Sequence, residues 1–234
     1  MKKISFLLVF SFLTVTAFSQ NPNQSAYFKA GLSFPLFDLA NGNPSDSISG
    51  LAAKGLHVEV GYQLPLSKHW GMGIAAVYYG NRYSHNKFNS YYGSLLSDAA
   101  YGLKTNYAWS VGGILLRPDY LIPLGKHISW DIYASGGFLA FFTPEYVMTS
   151  SSLLNHVVQT YHQARNKGAS FAYGLGTRFN FTMFSAHLFL DADFLASNIK
   201  YNSTGTDWNG KPFSYTVRQK IGYLSVNLGY TIFL

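Results

Sequence analysis

The sequence predicts an all-β protein, a single eight-stranded antiparallel up-and-down barrel that crosses a bilayer. Three observations predict it. From Gln219 to Leu234, apolar and polar residues alternate with hardly a break. Aromatic residues make up 18% of the chain and charged residues only 12%, whereas about 25% is usual in a soluble domain. Strand-like stretches recur, joined alternately by short and long connections, as an even-numbered membrane barrel requires.

The chain opens with a targeting segment over residues 1–19. Lys2 and Lys3 give a positive start, Phe6 to Phe18 an apolar run, and Ala17-Phe18-Ser19 a small-x-small cleavage site. The mature domain is expected to span 20–234, beginning at Gln20. The chain has no cysteine, so stability must come from packing and backbone pairing. No later apolar run approaches 18 residues, so a membrane helix is not expected. The net charge of +7 falls to +5 without Lys2 and Lys3. That is too modest and scattered for a nucleic-acid partner.

The strands follow in order. The first runs about Ala26 to Phe37, with Phe28, Leu32 and Phe34 on its apolar face. A polar Gly/Pro/Ser-rich loop leads to the second, Lys54 to Leu64, with Leu56, Val58 and Val60 outward and His57, Glu59 and Gln63 inward. After the tight turn Pro65 to His69, the third covers Trp70 to Tyr83. A long loop precedes the fourth, Lys104 to Ile122, and Pro123 to His127 turns into the fifth, Ile128 to Thr143. A third long loop carries Leu153, Leu154, Val157, Val158 and Tyr161, a spacing that fits a short amphipathic helix. The sixth strand is Ala169 to Thr182 and the seventh Ala186 to Tyr201. The eighth closes the chain. Its Leu224, Val226, Leu228, Tyr230, Ile232 and Leu234 point one way, toward lipid. Gln219, Tyr223, Ser225 and Asn227 point the other way, toward a polar lumen. Some strands exceed the 9–11 residues that suffice to cross a bilayer, which leaves ten crossings open beside eight.

A weak repeat marks the hairpins. Tyr62-Gln63-Leu64-Pro65-Leu66-Ser67-Lys68-His69-Trp70 echoes Tyr120-Leu121-Ile122-Pro123-Leu124-Gly125-Lys126-His127-Ile128. With the Ala17-Phe18-Ser19-Gln20 signal and the terminal strand, it gives a chain that resembles the small outer-membrane β-barrel domains common in Bacteroidota. In plan it is similar to OmpA/OmpX-type barrels. The resemblance covers the whole mature chain. It implies a bacterial outer-membrane location with both termini in the periplasm. It also implies contact with lipid and lipopolysaccharide, and recognition of the C-terminal strand by the barrel assembly machinery. Such families usually end on an aromatic residue, whereas here Phe233 is penultimate and Leu234 last.

Strand phase places charges inside: Glu59 on the second strand, Arg117 and Asp119 on the fourth, and Asp131 on the fifth. Arg178 falls on the sixth, with Asp191 and Asp193 on the seventh. Their distances from the short turns put them in one belt. Buried charges need partners, and arginine bridges carboxylates well. A structural salt-bridge plug is one reading and a gated ion path the other. Five carboxylates against two arginines leave a shortfall that Lys29, His57 and His187 could fill.

Catalysis and cofactors are not expected. Asp191-Ala192-Asp193 resembles the paired aspartates of omptin proteases, but the Asp-x-His pair that those enzymes also need does not occur. The lipid A deacylases use a His-x-Ser pair with a glutamate, and neither His187-Leu188-Phe189 nor His57-Val58-Glu59 substitutes for it. His156 and His162 lie in a loop with poor metal-ligand spacing. The long loops are the other functional candidates, for contact with a further envelope protein. Arg82, Tyr83, Phe88, Tyr91 and Tyr92 in the second loop, and Tyr161 in the third, are residues that binding surfaces use. Packing over the barrel mouth or in an aromatic girdle would use them equally.

Overall fold

The structure, a computed structural model, describes residues 24–234 apart from 44, 45, 47, 96–98, 153–157, 184 and 185; the side chains of 91–101 and 152 are also left aside. The expected targeting segment, the start at Gln20, and the side chains of Tyr91 and Tyr92 therefore lie outside the described residues.

The elements in order are β1 (Ser25–Phe37), β2 (Ala52–Pro65), β3 (Trp70–Tyr83), α1 (His85–Leu95), β4 (Ala99–Asn106) and β5 (Trp109–Pro123). They continue with β6 (Ile128–Phe142), β7 (Glu145–Ser152), β8 (Val158–Gln163), β9 (Lys167–Met183), β10 (Ala186–Thr206) and β11 (Pro212–Phe233). Eight of the eleven described strands form an antiparallel ring in the order β1-β2-β3-β5-β6-β9-β10-β11. The pairing of β11 with β1, from Ser25↔Phe233 to Phe37↔Ile221, closes it. Closure leaves the ring without a free edge. β4, β7 and β8 form a small sheet joined to the loop end of β10 through Gly205 and Thr206.

Period-two alternation decides what faces out. On β3, Trp70, Met72, Ile74, Ala76 and Tyr78 are exposed, while the residues between them are buried. On β11 the six residues from Leu224 to Leu234 assigned to lipid are 40–58% exposed, while Tyr223, Ser225 and Asn227 are buried. Aromatic pairs sit on the outer wall near the short turns. Trp70 packs edge-on to Tyr120 at 5.0 Å, and Trp130 stacks on Phe179 at 5.6 Å.

The sequence repeat is a repeated turn. Leu66 and Ser67 donate their N–H groups to the Trp70 carbonyl at 2.9 and 3.0 Å. Leu124 and Gly125 donate theirs to the Ile128 carbonyl, both at 3.1 Å. The carbonyl of each turn histidine then serves the next strand, accepting from Leu121 (His69, 2.7 Å) and from Thr182 (His127, 2.9 Å). Proline suits these strand ends because a missing donor costs little there.

Four expectations are corrected. The expected fourth strand, Lys104 to Ile122, is two strands, because Tyr107 adopts φ 64° and breaks the run between β4 and β5. The second long loop contains α1 and most of β4. The amphipathic helix expected in the third loop is instead a hairpin, with β7 pairing β8 from Tyr146↔Gln163 to Ser151↔Val158; Leu153, Leu154 and Val157 lie outside the described residues. The lumen is charged only in its lower half, among the described residues. Toward the loop end it is filled by an apolar cluster that includes Val77, Val111, Leu115, Leu139, Ile199 and Ile221. Eight strands enclose a space that side chains alone fill, and apolar ones fill it without needing hydrogen-bond partners.

The β1–β2 loop seals this core. Phe37 and Leu51, at its two ends, both have positive φ (56° and 47°). The loop folds inward so that Leu39 is fully buried in the apolar cluster, with Ile48 packed beside it. Hydrogen bonds hold it there. Gln219 Nε2 donates to Ile48 O (2.8 Å), Trp109 Nε1 to Gly50 O (2.8 Å) and Lys87 Nζ to Ala40 O (2.6 Å).

Candidate functional site

The lower lumen holds a buried charge cluster centred on Lys29. Its Nζ lies 2.5 Å from Asp191 Oδ1, 2.7 Å from Asp193 Oδ2 and 3.5 Å from Glu59 Oε2. Arg117 grips Glu59 with both terminal nitrogens, Nη2 to Oε2 at 2.6 Å, the bidentate geometry that suits a guanidinium. Arg178 Nε approaches Asp191 Oδ2 at 3.6 Å, and its guanidinium lies over the rings of Phe189 (4.2 Å) and Tyr27 (4.3 Å). Three cations thus face three carboxylates: Lys29, Arg117 and Arg178 against Glu59, Asp191 and Asp193.

Neutral groups complete the network. Tyr27 OH donates to Glu59 Oε1 (2.8 Å) and Tyr133 OH to Asp191 Oδ2 (2.8 Å). Asn227 Nδ2 donates to Asp191 (3.1 Å) and Asp193 (3.3 Å). That leaves its Oδ1 toward His57 Nδ1 at 2.8 Å, so His57 is the donor there. The His57 ring stacks on Tyr79 (4.3 Å) and Tyr79 on Tyr223 (4.4 Å), which joins the charged level to the apolar one above it.

Of the seven predicted charges, Asp119 and Asp131 form no close ion pair among the described residues, although they line a small pocket together with Arg117 and Arg178. Asp119 and Asp131 line a cavity of ≈ 450 Å³ at the turn end, beside Lys68, His69 and Asn180. Gln63 Nε2 donates to Asp119 and Asn180 Nδ2 to Asp131 (2.9 Å). Of the three groups proposed to fill the shortfall, Lys29 and His57 join the cluster. His187 sits at the β9–β10 turn against Thr182 and Phe233. Ligand atoms of His57, Glu59 and Asp193 lie within 4.8 Å of one another, as a metal would require. The Lys29 ammonium already stands between two of them, so an ion would have to displace it. A His-x-Ser spacing occurs at His127-Ile128-Ser129. It forms no dyad: the histidine is exposed on the turn, and Ser129 Oγ accepts from Asn180.

Four lumen aromatics lie against the glycine directly opposite on the neighbouring strand: Tyr27 on Gly61, Tyr133 on Gly176, Phe141 on Gly168 and Phe189 on Gly229. A Cβ at Gly176 would meet Cζ and the hydroxyl of Tyr133, the group that contacts both Asp191 and Lys29. Gly176→Ala should therefore cost about 1–3 kcal/mol, the usual range for overpacking. Urea unfolding of the refolded barrel measures it. Gly125→Ala, with nothing within 4 Å of the added methyl, is the neutral control.

At the loop end lies a second cavity of ≈ 250 Å³. Two of the six predicted loop residues, Tyr83 and Tyr161, line it. Phe88 is buried in an apolar cluster with Leu51, Tyr83 and Met148. Arg82 is exposed on β3 and points away from it. Sequence reasoning missed Tyr146, Tyr201, Ser203, Trp208 and Tyr215, which also line it. One signal for Tyr201 and Ser203 was available, because the inward phase of Asp191 and Asp193 continues through both.

Comparison with known proteins agrees with this architecture. The profile of the family described as "Outer membrane protein beta-barrel domain" matches residues 5–231. No curated protein matches the chain. Among solved structures, a major outer membrane protein from Thermus thermophilus is 11% identical with TM-score 0.50, covering 89% of this chain and 99% of that one. Neisserial surface protein A is 10% identical with TM-score 0.48, covering 90% and 97%. Ail, the attachment invasion locus protein of Yersinia pestis, is 12% identical with TM-score 0.43, covering 91% and 100%. At 11% identity, the likeness to the Thermus thermophilus protein is one of fold.

Proposed function

The chain belongs to the outer membrane protein beta-barrel domain family, and we propose that it is a closed barrel whose role is structural or interactive, carried by its loop end. In this reading the termini face the periplasm and the assembly machinery recognises β11. The β4-β7-β8 sheet and α1 then stand outside the cell, where they meet another envelope component.

One observation carries the reading: the lumen is blocked at successive levels. The charge cluster is balanced within itself, the level above it is packed with buried apolar side chains and carries no charged one among the described residues, and Leu39 presses the β1–β2 loop onto the top. An ion crossing the apolar level would lose its hydration without gaining a partner, which is prohibitive.

Single-channel recording of the refolded barrel in a planar bilayer tests this, at neutral pH and again near pH 4. No discrete openings are expected at either pH. Discrete, pH-sensitive openings would overturn the closed-barrel reading and make the charge cluster the gate of a narrow channel.

A further inference from the structure

The loop-end cavity has the chemistry of a ligand site. Its walls are aromatic and come from separate elements: Tyr83 from β3, Tyr146 from β7, Tyr161 from β8, Tyr201 from β10, Tyr215 from β11, and Trp208 from the β10–β11 turn. Tyr146 and Tyr161 stack at 6.1 Å, and Trp208 tilts against Tyr161 at 5.7 Å. Tyr146 OH donates to Gln163 Oε1 at 2.6 Å, which fixes both side chains.

Inside this aromatic wall, a buried polar group stands unused. Ser203 is 1% exposed, and its hydroxyl has no hydrogen-bond partner among the described residues. A buried hydroxyl without a partner costs stability unless a ligand supplies one. The Tyr201 and Tyr215 phenols and the Trp208 indole line the same wall. Burial pushes the Tyr146 phenol well above its ordinary value, and the phenols of Tyr161, Tyr83, Tyr215 and Tyr201 add to the effect. The Tyr146 phenol therefore stays protonated and neutral at physiological pH.

Among the described residues, the lining contains no lysine, arginine or histidine; its one charged residue is Asp46, which already accepts from Asn41 Nδ2 and Ile48 N, each at 3.1 Å. An anionic ligand would meet a carboxylate and no cation. A purely apolar ligand would leave Ser203 unsatisfied. What fits is a flat neutral ring with C–H faces for the aromatic rings and hydroxyls for the polar groups. The negative ring faces attract C–H edges, and a site built to bond a hydroxyl rejects ligands that lack it.

We propose that this chamber binds a neutral saccharide unit, with one sugar ring against Trp208 and Tyr161 and a sugar hydroxyl on Ser203 Oγ. The proposal rests on the reading of the loop end as the interaction surface and names what that surface takes. A volume of ≈ 250 Å³ lies just under the roughly 300–1,000 Å³ of drug-sized sites, which suits a single ring of a longer glycan.

The test is tryptophan fluorescence and calorimetric titration of the full barrel, refolded in a detergent without a sugar headgroup, since such headgroups would compete. One arm adds soluble neutral sugars: glucose, galactose, mannose, N-acetylglucosamine and maltose. A second adds the polysaccharide cleaved from smooth lipopolysaccharide. A third adds sucrose octasulfate as the anionic control. Saturable binding in the first or second arm supports the site and tells a free sugar from a neighbouring envelope glycan. No binding in either, or equal binding of the sulfated sugar, overturns it.

Ser203→Ala removes only the unpartnered hydroxyl. It should keep or slightly raise the unfolding midpoint of the sugar-free barrel and weaken sugar binding roughly tenfold, as the loss of one ligand hydrogen bond does. Parent-like affinity in Ser203→Ala overturns the assignment. A barrel that is electrically silent but binds no sugar sinks this proposal alone. One that opens sinks the closed-barrel reading whatever the sugars do.

Discussion

Replacing Lys29 by methionine should destabilise the barrel by about 3–5 kcal/mol, the cost of removing one partner from a buried ion cluster. Methionine retains most of the side-chain volume, so the loss is electrostatic. Lys29 is 0% exposed and is the nearest cation to both Asp191 and Asp193. Without it, the hydrogen bonds left to Asp193 among the described residues are those from Tyr79 OH at 3.3 Å and Asn227 Nδ2 at 3.3 Å. Glu59 is better protected, because Arg117 holds both of its oxygens. The companion change Asp193→Asn should therefore recover more than half of the loss when combined with Lys29→Met. It removes the stranded charge and leaves Arg117–Glu59 and Arg178–Asp191 as two closed pairs. Urea unfolding of the four members of this cycle, refolded into the same lipid, measures the coupling. If Lys29→Met unfolds within about 1 kcal/mol of the parent, it makes no contribution of the buried-pair size. A Lys29→Met variant that refolds should also remain electrically silent, because the apolar level above does not depend on the charge.

Much of the ring could be read from the chain because two local signals coincide. Residues such as Leu56, Val58 and Val60 alternate with His57 and Glu59, which sets the facing of β2. The Pro-Leu-x-Lys-His turns mark where two of the hairpins reverse. Both signals depend only on neighbours in sequence. The apolar upper lumen was hidden for the same reason. On β3, Ala75 and Val77 point inward while Ile74 and Ala76 point outward, and alternation between two apolar faces carries no sign. The break at Tyr107 was equally silent, since a tyrosine at positive φ is held by its surroundings and has no propensity to announce it. The β7–β8 hairpin was misread because five apolar positions also fit a helical period, and a window that short does not separate the two periods. The charge cluster shows the other limit. Phase placed Lys29 on the inner face, but its two nearest carboxylates lie 162 and 164 residues away. Only the closure of β11 onto β1, between Lys29 and β10, brings them together. The outer chamber draws on residues from Asp46 to Tyr215, spread over most of the chain, so no one stretch could disclose it.

Leu228→Arg should cost about 2–4 kcal/mol, the penalty for a charge on the lipid face near the bilayer midplane. Leu228 is 58% exposed on the outer wall and lies opposite Ala30 on β1 and Leu190 on β10. Neither neighbour offers a counter-charge, and Leu190 is itself 50% exposed to the same side. An arginine there can reach water only by stretching its stem toward a headgroup, and a position near the middle of the apolar band makes that reach longest. The comparison that isolates the membrane term is Arg218, an existing arginine on the same strand. It is also exposed and has the same phase as Leu228, but it lies ten residues nearer the loop end. Arg218→Leu should change stability by less than about 1 kcal/mol, because depth and not facing sets the penalty. Unfolding both variants in vesicles of one lipid therefore maps the hydrocarbon band onto β11. Parent-like stability of Leu228→Arg would mean that this residue does not meet lipid, and the facing of the whole closing strand would have to be reversed. A large loss in Leu228→Arg with none in Arg218→Leu places the membrane around the lower half of β11 and leaves the loop-end chamber standing clear of it.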